Sequence, residues 1–258
     1  MDTNGWTHAE IRRRLALGAW GGVCALLILC VADLPAFADG EPAACDPSAM
    51  AEERERMVRR QIQDRGVSHP AVLDAMRQVP RHCFVPADRR AEAYRDHPLP
   101  IGLRQTISQP YIVAYMTELL DPKASHRVLE IGTGSGYHAA VVSKVVKEVY
   151  TVEILAPLAR EAESRLRSLN MDNVHVRVGD GNEGWPEHAP FDSILVTAAA
   201  EEIPPALIRQ LKPGGRMVVP VGAVQDVQRL TVLTKDAEGS VSIREVLPVR
   251  FVPLRKEP

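Results

Sequence analysis

Residues 128–137, Val-Leu-Glu-Ile-Gly-Thr-Gly-Ser-Gly-Tyr, constrain the fold more than any other stretch of this 258-residue chain. A short strand-like run meets three glycines on alternate positions, Gly132, Gly134 and Gly136, and a helix-like apolar run starts at Tyr137. Glycines let the backbone turn sharply and approach a ligand closely, and a helix opening directly afterwards offers unpaired N–H groups. A strand, turn and helix in this order belong to an α/β sheet, where ligands lie beyond the carboxyl ends of the strands. A purely structural tight turn is the competing reading.

The rest of the body agrees with that unit. Strand patterns at 128–131, 149–154, 174–178 and 193–197 alternate with helical patterns at 137–146, 156–169 and 205–211. This alternation predicts a mostly parallel, doubly wound, Rossmann-like sheet. Strand patterns at 217–221, 230–234 and 241–246 have no helix between them, which predicts an antiparallel C-terminal edge. Residues 122–258 therefore form the α/β core. Residues 51–121 read as a helical N-terminal extension, with helical spacing over 52–63 and from Ser68 and Pro70 to Val79. A turn-rich segment at 97–102 then leads to Thr106-Ile107-Ser108-Gln109-Pro110 and another helix.

Residues 1–38 read differently. Arg12, Arg13 and Arg14 precede an apolar run at 15–31, and Ala36-Phe37-Ala38 comes next: the order of a secretory signal. Left uncleaved, the run is long enough to anchor the chain in a bilayer, and it is the only membrane contact expected. Residues 39–50 read as a linker, and a true start at Met50 or Met57 is the alternative to a leader. With net charge −2 and 5% aromatic residues, neither a basic field nor a base-stacking platform points to nucleic acid. Cys24, Cys30, Cys45 and Cys83 include no C-x-x-C spacing, and no metal is expected. Whether Cys45 and Cys83 pair is left open by their spacing.

Three acids suggest the ligand. Glu130 lies just before the glycine turn, which disfavours a phosphate and suits a ligand carrying an ammonium and a sulfonium; S-adenosylmethionine carries both. Glu153 ends the second strand, where a carboxylate can accept from both ribose hydroxyls. Asp180, followed by Gly181, ends the third, within reach of an adenine amino group. Each acid alone is an ordinary turn carboxylate. One at each of three successive strand ends is a ligand pattern.

The glycine turn, Leu99-Pro100-Ile101-Gly102, the Thr106–Pro110 segment and Arg250-Phe251-Val252-Pro253-Leu254 resemble protein-L-isoaspartate (D-aspartate) O-methyltransferases, from about Met57 to Leu254. The resemblance implies a class I S-adenosylmethionine-dependent methyltransferase fold. It also implies transfer of a methyl group to the free carboxyl of L-isoaspartyl residues in damaged proteins and peptides, the first step of their repair. It makes Ser108 the catalytic residue and Thr106, Ile107 and Gln109 its substrate loop. A carboxylate acceptor is ionised at neutral pH, so no general base is needed. One departure stands out: Arg104 replaces the family's usual glycine in the substrate loop, which bears on substrate range. The alternatives are a methyltransferase of another acceptor and a non-catalytic S-adenosylmethionine-binding protein. A monomer is expected. The family and its cofactor supply imply the cytoplasm, whereas residues 11–38 imply a periplasmic or membrane-tethered protein.

Overall fold

The computed structural model describes residues 45–223 and 225–256. Its N-terminal part is helical. Helix α1 (Ala51–Met57) continues through a π-type turn over Val58–Ile62, and α2 (Pro70–Gln78) comes after it. The next segment corrects the plain loop expected at 97–102. Leu99–Gly102 (β1) and Gln105–Ile107 (β2) pair as an antiparallel hairpin. The prolines at 98 and 100 hide the strand alternation in the sequence. The hairpin tip, Leu103 and Arg104, takes φ of +49° and +59°, a conformation that costs a non-glycine residue about 1 kcal/mol. Helix α3 (Pro110–Leu119) completes this part, with proline at its first position, where no N–H is needed.

The core then runs β3 (Arg127–Ile131), α4 (Tyr137–Ser143), β4 (Glu148–Glu153), α5 (Ala156–Ser168), β5 (Val174–Val178), β6 (Phe191–Val196), α6 (Pro205–Gln210), β7 (Leu211–Val221), β8 (Gln228–Lys235) and β9 (Val241–Val249). One sheet carries the order β5-β4-β3-β6-β7-β8-β9. Pairs from β5 to β7 are parallel, and β8 and β9 add antiparallel, as the missing helices implied. Strand β7 starts earlier than the sequence suggested. Leu211 pairs with Phe191, and Pro213-Gly214-Gly215 then bulges before Arg216 pairs with Ser193.

Burial explains the central position of β3. Val128, Leu129 and Ile131 are almost fully enclosed, Val128 in the core under the helical extension and the other two in the core toward α6. Each such side chain contributes about 1.5–3 kcal/mol. The glycine turn is thus mounted on a strand buried on both faces. Cys45 and Cys83 are joined by a disulfide, with Cα atoms 5.4 Å apart. Between them His82 donates from Nε2 to the Asp46 carbonyl, so its Nδ1 accepts from the Tyr94 hydroxyl.

The leader read in residues 1–38 lies outside the described residues, as does the linker as far as residue 44. The membrane-tethered or periplasmic expectation is corrected: among the described residues no helix is long and apolar enough to cross a membrane.

Candidate functional site

A crevice opens at the carboxyl ends of β3 and β4, and the glycine turn forms its floor. Gly132, Gly134 and Gly136 all take positive φ, +97°, +53° and +85°. Gly132 is constrained further by a close neighbour: a Cβ there would meet Thr197 Oγ1 at 2.5 Å. That hydroxyl donates to the Gly132 carbonyl at 2.6 Å, tying the turn to the end of β6. Gly181 has no room either, since an added Cβ would run into Ile131 Cγ2. Both are cradle positions that side chains would fill.

The three acids have three different environments. Glu153, at the end of β4, lines the crevice. One of its oxygens accepts from the Gly134 N–H at 2.8 Å and the other from the Leu155 N–H at 3.0 Å. Each oxygen keeps a further lone pair for a ligand hydroxyl. Asp180 caps the turn after β5, accepting from the Asn182 backbone and side chain at 2.8 and 2.7 Å. It borders a neighbouring cleft, while Gly181 beside it lines the crevice itself.

Glu130 does not line the crevice. It is buried beneath the turn, accepting from the Thr151 hydroxyl, which in turn accepts from Thr133 Oγ1 at 2.7 Å. Its other oxygen has no partner among the described residues. Burial, aided by the charge of Glu153, pushes its carboxyl up to about 8, against the pull of the Thr151 hydrogen bond. Glu130 is therefore neutral at pH 7 and reaches the turn only through two hydroxyls. The sequence expectation of an anion beside the ligand overlooked that both strands flanking Glu130 are buried.

The opposite wall comes from β2 and the residues between it and α3. Thr106, Ile107 and Ser108 line the crevice. Ser108 is not the helix cap that its place before Pro110 would suggest. The capping position of α3 is Gln109, with no side-chain cap. The Ser108 hydroxyl has no hydrogen-bond partner among the described residues and faces the crevice. Gln109 donates to the Asp96 carbonyl at 3.0 Å and lines a second groove adjoining the crevice. His138 also lines the crevice, but burial pushes its imidazole down to about 3, so it stays neutral. His97 lies outside the crevice, turned to the Pro98 carbonyl.

Two contributions to the site could not be placed from the local sequence. One is Thr197, whose hydroxyl secures the turn at Gly132. The other is the segment after β9, where Val252, Pro253 and Leu254 return across the sheet to wall the crevice. Ala199 donates to the Val252 carbonyl and accepts from the Leu254 N–H, both at 2.8 Å. The Arg250–Leu254 run was visible as a motif, but its return to a strand end some 50 residues earlier was not.

The family model for protein-L-isoaspartate (D-aspartate) O-methyltransferase matches residues 52–258. The chain belongs to this family. Its relatives include protein-L-isoaspartate O-methyltransferase 1 of Nitrosospira multiformis, 59% identical over 78% of this chain and 86% of that protein. The Opitutus terrae protein-L-isoaspartate O-methyltransferase is 54% identical over 81% of this chain and 89% of its own length. A solved protein-L-isoaspartate O-methyltransferase superposes with a TM-score of 0.73 at 30% identity, covering 80% of this chain and 66% of that one. A Plasmodium falciparum structure described as a protein-L-isoaspartate O-methyltransferase, in complex with S-adenosyl-L-homocysteine, shares the fold. It has a TM-score of 0.68 at 23% identity and covers 79% of this chain and 99% of its own. The helical extension and the mixed sheet are the family's architecture.

Proposed function

We propose that residues 122–258 hold the methyl donor in the crevice while residues 51–121 present the acceptor, with Ser108 at the junction of the two. The reaction is methyl transfer from S-adenosylmethionine to the free carboxyl of isoaspartyl residues in proteins and peptides. Bound there, S-adenosylmethionine supplies an electrophilic methyl group: an acceptor oxygen lone pair forms the new O–C bond as the C–S bond breaks and leaves its pair on sulfur.

The donor set suits that group. Glu153 offers two carboxylate oxygens at a strand end, the glycine cradle has no side chains in the way, and Gly181 with Asp180 borders the far end. In this reading Glu153 takes the ribose hydroxyls, Gly132, Gly134 and Gly136 give the ligand close backbone contact, and Asp180 with Gly181 flanks the adenine. Glu130 acts at one remove, holding Thr151 and Thr133 under the turn. Thr106, Ile107 and Gln109 form the loop that positions the acceptor.

The acceptor arrives ionised, so the protein has to align it rather than deprotonate it. Orientation of this kind supplies roughly 7–11 kcal/mol in favourable cases. The Ser108 hydroxyl, free of protein partners among the described residues, donates to one acceptor oxygen and aims the other at the methyl group.

The observation that carries this reading is the meeting of Glu153 and Ser108, 45 positions apart in the sequence, in one crevice. Its test pairs two variants. Glu153→Ala should weaken S-adenosylhomocysteine binding by calorimetry at least tenfold, because two backbone N–H groups lose their acceptor along with the ligand. Ser108→Ala should leave that affinity within twofold while cutting methyl transfer to an isoaspartyl peptide by tenfold or more. Full activity in Ser108→Ala removes the serine from acceptor alignment, and full affinity in Glu153→Ala removes the glutamate from donor binding.

A further inference from the structure

A second groove meets the crevice at Thr106, Ser108, Thr197 and Val252, residues that line both. It therefore opens into the crevice beside Ser108. Its walls are largely apolar, with Ile112, Val249 and Phe251 among them. Among the described residues, Arg250 is the one charged group that lines it, and no acid does. Arg250 has neither an ion pair nor a hydrogen bond among those residues.

Its mounting is fixed even though its head is free. The preceding residue, Val249, is buried at the end of β9. The next residue, Phe251, donates its N–H to Gln228 Oε1 at 2.9 Å, and Val252 is held by Ala199. A flexible tail would let an exposed arginine wander; in this fold the backbone on both sides is tied to the sheet.

We infer that Arg250 is a specificity-determining residue, pairing with the acceptor carboxylate in the groove beside Ser108 and releasing it once methylation removes its charge. The inference rests on the proposed role of Ser108. A guanidinium presents its N–H donors in a fixed plane, with a direction that a lysine lacks. One acceptor oxygen is held while the other attacks the methyl carbon. The product is a neutral ester, which accepts a weaker hydrogen bond than the carboxylate did. Substrate is thus favoured over product by the charge that the reaction consumes. Because Arg250 is exposed, water and salt screen the pair, and the discrimination is modest and sensitive to ionic strength.

The test uses the full chain and two peptides identical except at one group: an isoaspartyl peptide and its twin with a carboxamide in place of the acceptor carboxylate. KM and kcat are measured for the first, and the inhibition constant for the second, at low salt and at roughly 0.5 M, where the screening length is a few ångströms. The wild type should bind the acid at least fivefold better than the amide at low salt, and less so at high salt. Arg250→Ala should raise KM for the acid about fivefold, with kcat within twofold and amide binding unaltered. Arg250→Lys should recover part of the loss. Equal binding of acid and amide by the wild type overturns the inference. An equal loss for both peptides in Arg250→Ala also overturns it, since the side chain then acts only by packing. S-adenosylhomocysteine affinity is measured alongside. If it is normal and Ser108→Ala retains full activity, the failure belongs to the assignment of Ser108 instead.

Discussion

Replacing Glu130 by glutamine tests the electrostatics beneath the glycine turn. The substitution keeps the shape and the acceptor for Thr151, and removes only the titration. In the fold the carboxyl is pushed up to about 8 by burial, against an ordinary value of 4.5. Between those two pH values the folded wild type holds a proton that the unfolded chain releases. Wild-type stability therefore falls as pH rises through this window, by up to about 1.4 kcal/mol per pH unit. The variant lacks this slope. The difference, variant minus wild type, should grow by about 2–3 kcal/mol from pH 5.5 to 7.5 and level off above pH 8. Any fixed offset comes from exchanging the partnerless Glu130 Oε1 for an amide NH2 at the same position, and it is the same at every pH. Urea unfolding at pH 5.5, 6.5, 7.5 and 8.5 measures the trend. A difference that stays flat with pH, or that shrinks as pH rises, refutes the assignment of a buried neutral acid.

Three further substitutions probe the cradle and the N-terminal staple. Gly132→Ala and Gly66→Ala each place a side chain at nearly the same positive φ, +97° and +98°, but only the first meets a neighbour within 4 Å. Gly66→Ala should cost about 1 kcal/mol in unfolding free energy. Gly132→Ala should cost more and also weaken S-adenosylhomocysteine binding at least tenfold, and equal losses in both variants would dismiss the role of Thr197. Removing the disulfide by Cys83→Ser frees a loop spanning 38 residues and should lower stability by about 4 kcal/mol on the chain-entropy account, as read by urea unfolding. A change under about 1 kcal/mol would mean that the pair constrains little.

The sequence was most informative where local chemistry and fold coincide. Three glycines between a buried strand and a helix can serve few purposes, and Glu153 and Asp180 stand at the strand ends where the pattern put them. Side-chain direction was less legible. Glu130 sits two residues before the turn, and one step of strand alternation decides whether it faces the ligand or the interior. Contacts made by chain return were not legible at all. Thr197 is one of many threonines until its hydroxyl is seen over Gly132. The β1–β2 hairpin was masked by proline, and the pairing of Cys45 with Cys83 depends on how the segment before α1 packs.

Pinning of Leu254 and Val252 to Ala199 makes one wall of the crevice a product of the completed chain path. A molecule whose sheet has formed through β9 but whose tail has not yet docked has every strand and no closed receptacle. Ligand binding should therefore favour molecules whose tail has docked, and added S-adenosylhomocysteine should stabilise that docked tail.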